Sequence, residues 1–308
     1  MWEAKDALLW CCVVSPLKIL WESLRIVHGN KLLFCAIFSL TTLPLSFLTF
    51  AFVISTHPLR THVHHLEAVA RVAHTRVEAR HVWHESRHDA VHLVRMRALF
   101  SLLVFPFSLA AVAAAVHAAA AAFQGNPASA AVFSAVRRGG TWKRPAVTVI
   151  FVYVILMGFA PVPRVLTAVS GSAWWAWAFG LGVEVYLMAV MGLGLVVSVA
   201  EERMGWEAIR VGSGLMKGRR FSGWVLSGLL VSLSGFINEK LETALFENNE
   251  VGVWDKVVVS LMCWYAVVVL LSYVVTTVFY CDSRRRLDIK EFEEADVDVE
   301  VPSALSSL

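Results

Sequence analysis

The chain has 308 residues, of which 57% are hydrophobic and 17% charged, with a formal net charge of +3 and a mean hydropathy of +0.64. That composition excludes an ordinary soluble globular domain. The small net charge gives no reason to expect a nucleic-acid partner, and the Lys and Arg stand beside long apolar runs, where lipid headgroups would meet them.

Residues 1–30 read as a cytosolic N-terminus with an interfacial helix. Leu17, Leu20, Trp21, Leu24 and Val27 share one helical face, while Lys18, Glu22 and Arg25 point away. The apolar run 32–54 suits a membrane span rather than the short core of a cleavable signal peptide. Pro44 is expected to kink it, and Pro106 the next.

Residues 56–96 form a His-rich segment expected on the non-cytosolic side, with His57, His62, His64, His65, His74, His81, His84, His88 and His92. Leu59, Val63, Leu66, Ala70, Ala73 and Val77 keep a 4-3 spacing that resumes at Val91, Val94 and Ala98. This predicts one long helix running into the second span, 98–123. His84, His88 and His92 recur every four residues and so stack on one face. Three readings compete for them. One is a solvated helix in which His is an ordinary polar residue. The second is a Zn²⁺ or Cu²⁺ site, for which imidazole is a good ligand but a fixed fourth ligand is wanting, with Glu85 and Asp89 as the only helpers. The third is a pH sensor, because imidazoles with a pKa of about 6.5 gain charge in an acidic compartment.

Asn126 and Pro127 open a second unit. Val132, Phe133 and Val136 form its apolar stripe, and Arg137, Arg138, Lys143 and Arg144 follow. The runs 146–162 and 173–199 come next, with Trp174, Trp175 and Trp177 placed as an aromatic belt at the far interface. Glu184 is the one Asp, Glu, Lys or Arg inside the apolar runs. A carboxylate at mid-bilayer costs several kcal/mol unless it is paired, protonated or facing water, so Glu184 is a candidate proton- or cation-binding group. The competing reading is a protonated Glu bonded to a neighbouring helix. His117 and Tyr186 are candidate partners, although His117 lies near the cytosolic end of its span.

In the third unit Met204, Ala208, Val211 and Leu215 face one way and Glu207, Arg210 and Lys217 the other, ahead of Arg219 and Arg220. The runs 221–237 and 257–280 complete the set. Small residues on the fourth and fifth spans, among them Gly192, Gly194, Gly223 and Gly228, point to close helix packing. Residues 284–308 begin with Arg284–Arg286 and turn acidic; they are expected to be a disordered cytosolic tail. Cys11, Cys12, Cys35, Cys263 and Cys281 have no metal-ligand spacing and imply no disulfide framework. Cys11, Cys12 and Cys281 are either palmitoylated or ordinary interfacial thiols.

These elements describe an all-α polytopic membrane protein. Six transmembrane helices within 31–283 form three repeats of an interfacial amphipathic helix plus a helical hairpin. The Lys/Arg bias puts both termini in the cytosol. The interfacial helices would lie apolar side down, their basic ends near anionic headgroups. Arg137, Arg138, Lys143, Arg144, Lys217, Arg219 and Arg220 are the candidate lipid contacts. No HExxH, GxSxG, phosphate-loop or dinucleotide fingerprint occurs, so neither a catalytic residue nor a cofactor is expected.

The stretch from Glu202 through Gly205, Trp206, Ala208 and Arg210 to Leu215-Met216-Lys217-Gly218-Arg219-Arg220 resembles a pattern in a plant family of six-span transmembrane proteins. In that family an acidic residue and Gly-aromatic-x-Ala precede Leu-x-Lys-Gly. Phe133–Arg138, Trp142–Arg144 and the pair Tyr280-Cys281 fit the same family, and the resemblance covers most of residues 15–283. The architecture is more remotely similar to the membrane domain attached to some bacterial glycerophosphodiester phosphodiesterases. The resemblance implies membrane topology and no catalytic residues, and the His-rich insert departs from the family's pattern. The expected function is a non-catalytic membrane protein of the endomembranes or plasma membrane that organises lipids or partner proteins at the cytosolic leaflet. The alternative is a small-solute or ion transporter or channel using Glu184.

Overall fold

The computed structural model describes residues 2–72, 76–137, 143–159, 162, 173–201, 203–217, 219–247 and 255–305. Among them all regular structure is helical: α1 (Trp2–Gly29), α2 (Lys31–Ile37), a π-helical turn (Phe38–Thr42), α3 (Leu43–Val72), α4 (Arg76–Phe123), α5 (Ala128–Arg137), α6 (Lys143–Phe159), α7 (Ala173–Ala200), α8 (Gly205–Leu215), α9 (Arg220–Glu247) and α10 (Lys256–Leu305). Among the described residues five stretches are long and apolar enough to cross a bilayer: Lys31–Val63, Val91–Phe123, Ala178–Ala200, Arg220–Phe246 and Lys256–Leu287. Their outward surfaces are apolar too, with Leu40 74%, Leu102 73% and Trp264 64% exposed. A lipid surrounding accepts such faces and water does not. The chain is an integral, multi-pass membrane protein.

The expected run 146–162 is not among the five. The described part of α6 ends at Phe159, and Pro161 and Pro163 lie outside the described residues. Its 17 described residues span about 25 Å at about 1.5 Å each, short of a bilayer core of about 30 Å. Pro44 acts on the first span through the π-helical turn. Proline has no N–H to return to the preceding turn, and here the Leu43 N–H reaches back to the Phe38 carbonyl, an i→i−5 bond. Ser39, Thr41 and Thr42 each donate a hydroxyl to the carbonyl four residues earlier.

The described chain divides into two compact units. The first comprises Met1–Phe34, Val112–Val231 and Leu271–Leu308. Its core is small-sided: Ala115, Ala118 and Ala119 of α4, Val196 and Val197 of α7, and Val274 and Val278 of α10 are fully or almost fully buried. Here α6, α7 and α8 pack on one another. A Cβ on Gly212 of α8 would lie 2.9 Å from the backbone nitrogen of Gly194 in α7, so only hydrogen fits between them. Gly205 starts α8 with φ +53°, a conformation natural to glycine, and its N–H donates to Thr148 Oγ1 at 3.0 Å. Buried hydroxyls find local acceptors, as a dry setting requires: Ser23 on Ile19 O and Thr277 on Tyr273 O, each at 2.7 Å.

The interfacial stretches behave differently from one another. In α1, Ile19 and Ser23 are buried, Leu17, Trp21 and Leu24 are open, and Lys18 and Arg25 are exposed beside them. In α8, by contrast, Ala208, Gly212 and Leu215 are buried in the packing with α6 and α7. The apolar side of that helix meets protein, not lipid as expected, because Gly194 and Gly212 let the two backbones close up.

The second unit comprises Cys35–Ala111 and Ser232–Leu270. Phe50, 1% exposed, sets its ring 5.7 Å from that of Tyr265. The single long helix expected from Leu59 onward is instead two helices, with Ala73 and His74 outside the described residues. Phe52 and Phe100 have ring centroids 5.3 Å apart, and His62 Nδ1 lies 3.1 Å from Asp89 Oδ2. Both pairs are centred on the same point of the chain, next to Arg76. α3 and α4 are therefore an antiparallel hairpin, and the 4-3 seam belongs to two helices rather than one.

The expectation of disorder across 284–308 is also corrected, since α10 continues unbroken to Leu305. Few large apolar residues argue against a core but not against extending a helix already nucleated. The tail is rich in Glu, Lys and Arg, with Lys290 and Glu294 four residues apart.

Candidate functional site

The most developed polar constellation lies where α7 ends and α10 leaves its apolar stretch. Glu201 follows the last residue of α7, and its side chain is only 12% exposed. Tyr280 and Arg284 stand one turn apart on α10, so both reach it from one face. Tyr280 Oη donates to Glu201 Oε1 at 2.7 Å, and Arg284 Nε donates to the same oxygen at 2.8 Å. Arg203 Nε is 3.6 Å from Glu201 Oε2, and Arg203 Nη1 donates to Glu207 Oε1 at 2.8 Å in the first turn of α8. One carboxylate thus gathers a phenol and two guanidinium groups.

A second knot lies nearby in the chain. Arg219 donates to Asp282 of α10 and to Ser15 of α1. Its guanidinium lies 5.5 Å from the centroid of the Phe279 ring, within cation–π range. Arg286 Nε approaches Asp282 Oδ2 at 3.4 Å.

Chemically this is a clamp. Glu201 Oε1 accepts from both Tyr280 and Arg284, while Oε2 has Arg203 Nε at 3.6 Å. Among the described residues no group of three or more His, Cys, Asp and Glu side chains is placed to hold a metal ion. His92 is exposed, and the side chains of His84 and His88 lie outside the described residues. The arrangement joins the ends of three apolar helices and two interfacial ones by charge-assisted bonds, the stronger kind.

Glu184 is half-buried on α7 and makes no hydrogen bond or ion pair with another described residue. Its neighbour Val185 packs toward Gly228 of α9. A void of about 20 Å³ between α7, α9 and α10, lined by Leu193, Gly223, Ser227 and Thr276 among others, does not include Glu184. It has room for about one water.

The basic candidates separate into distinct groups. Lys143, Lys217 and Arg220 are exposed and make no ion pair with a described residue. Arg144 is half-buried and has a partner. Arg219 is turned inward, held by Asp282 and Ser15, because a guanidinium next to a buried aromatic ring and a carboxylate is better satisfied there than in a headgroup layer. Arg138 and the side chain of Arg137 lie outside the described residues.

Sequence reasoning did not find the Glu201 clamp. Tyr280 stood only as half of a motif, and Arg284 only as the start of the C-terminal tail. The available signal was an acid placed at once after an apolar run, with Tyr and Arg four residues apart at the end of another.

A family model described as Domain of unknown function (DUF8558) matches residues 12–297. The chain belongs to the DUF8558 family. The matched stretch of this DUF8558 chain holds both knots, from Ser15 to Arg286. No curated protein and no solved structure matches it.

Proposed function

We propose that this DUF8558 protein is a non-catalytic, six-span membrane protein built of three repeated units, with both termini in the cytosol, that organises anionic lipid or partner proteins at the cytosolic leaflet. The observation that carries this reading is a set of exposed cations without ion-pair partners beside the apolar stretches. Lys217 and Arg220 stand with the open aromatic side chains of Trp206, Phe221 and Trp224 around them in the chain, and Lys143 is exposed at the start of α6. Cations beside aromatic rings at a span end suit a headgroup layer. The clamp supports the same reading, since Glu201 is engaged by Tyr280, Arg284 and Arg203 in tying α7 to α10. From the resemblance this reading keeps only the membrane topology.

The test is anionic-lipid association in nanodiscs of phosphatidylcholine with and without phosphatidylserine. Each basic residue near an anionic surface contributes about 1 kcal/mol. The combined Lys143→Gln, Lys217→Gln and Arg220→Gln variant should therefore lose about 100-fold in association. Retention of phosphatidylserine at the wild-type level would remove the reading's support. Transport takes second place on one observation, the half-buried Glu184 carboxylate without a partner among the described residues. A solute flux unchanged by Glu184→Gln would sink that role.

A further inference from the structure

One surface within the first unit has a shape the general charge argument does not require. Between α1 and the end of α4 lies a cleft of about 420 Å³, lined by Lys18, Trp21, Glu22, Arg25, Asn30 and Phe123 among others. That volume falls in the range of small-ligand sites. Lys18, Glu22 and Arg25 recur at helical spacing, so they form one stripe of α1. Lys18 and Arg25 are two turns apart, about 10 Å along the axis. Both are exposed and make no ion pair with another described residue, even though Glu22 stands between them in the sequence.

The helix sorts its side chains into three sectors. One, with Ile19 and Ser23, is buried in protein. The second, with Leu17, Trp21 and Leu24, is 59%, 73% and 45% exposed and wholly apolar. The third carries the cations and faces the cleft. Trp21 belongs to the apolar sector and also to the cleft wall. The far wall is Phe123, the last residue of the membrane-crossing stretch Val91–Phe123. The cleft therefore lies beside the end of an apolar stretch long enough to cross a bilayer. It has apolar surface on one side and two unpaired cations on the other.

We propose that this cleft is a specific site for one anionic glycerophospholipid with a hydroxylated headgroup. Lys18 and Arg25 hold the phosphate. Glu22 and the side-chain carbonyl of Asn30 accept hydrogen bonds from headgroup hydroxyls. Trp21 and Phe123 line the start of the acyl chains. One carboxylate against two cations leaves the cleft with a single net positive charge, which matches a phosphodiester and rejects a zwitterion bearing its own choline cation. The proposal rests on the lipid-organising reading and narrows it to a headgroup class and a place.

The full chain is purified from nanodiscs of phosphatidylcholine with phosphatidylinositol as the minor component, and the retained lipid is counted by mass spectrometry. The wild type should enrich phosphatidylinositol over the bulk. Lys18→Gln with Arg25→Gln should cut that enrichment about tenfold or more, since each cation near the anion contributes several-fold. Both residues are exposed, and an unchanged melting temperature verifies that the fold is kept. Enrichment untouched by this pair but lost in the Lys143, Lys217 and Arg220 variant overturns the cleft and leaves the general reading standing. A wild-type chain that carries only the bulk composition overturns both. Displacement of the bound phosphatidylinositol by soluble glycerol 3-phosphate overturns the lipid assignment in favour of a free phosphate ester.

Discussion

Glu201 shows how much one residue at a span end can hold. Its carboxylate is nearly sealed and shared by Tyr280, Arg284 and Arg203. Removing its charge leaves cationic donors half-desolvated, a loss of about 1–3 kcal/mol, whereas removing one phenol bond costs about 1 kcal/mol. Glu201→Gln should therefore lower the melting temperature in nanodiscs more than Tyr280→Phe does, and the reverse order would mean that the guanidinium groups contribute little. These contacts were hidden in the sequence for a physical reason. The partners of Glu201 lie 79 and 83 residues away, and no local periodicity links them. Arg203 and Glu207 are only four residues apart, with Arg203 standing two residues ahead of α8, so that pair is local in the sequence.

At the scale of elements, the same pattern of apolar residues led to two different outcomes. The stripe of α1 is open and that of α8 is covered, and the difference is the Gly194–Gly212 approach. Gly212→Ala should force α7 and α8 apart and destabilise the protein by about 1–3 kcal/mol, as overpacking does. Gly214, two residues on, has open space where a Cβ would go. Gly214→Ala should be neutral, or stabilising by up to about 1 kcal/mol. Equal melting temperatures for the two variants would mean that the close approach does not hold α8 in place. Amphipathic spacing says that a helix has an apolar side but not what meets it. Long apolar runs were legible because a bilayer sets a length scale.

For the whole molecule, the six-span proposal commits to an even number of crossings. Arg219 binds Ser15 of α1 and Asp282 of α10 together, so these two helices meet within the first unit. A chain that starts and finishes at the same end crosses an even number of times. Tags on the two termini should accordingly be reached from the same side in sealed vesicles, the cytosolic one by the charge bias. Tags on opposite sides would establish an odd number and break the three-unit scheme. The hairpin of α3 and α4 shows where sequence reading stopped short at this scale. The seam residues Leu59 to Val77 were legible as helical, but the fold-back next to Arg76 depends on Phe52 meeting Phe100 and His62 meeting Asp89.

The turn ahead of Pro44 also acts as a phase slip. Inward positions step from Ile37 to Thr42, five residues on, before resuming at Leu45, Ser46 and Phe50. Any heptad frame laid across 31–72 without an extra residue at 38–42 will exchange inward for lipid-facing positions on one side of the slip. A helix wheel drawn for this span needs two origins, and substitutions chosen from a single wheel will strike the wrong face in half of it.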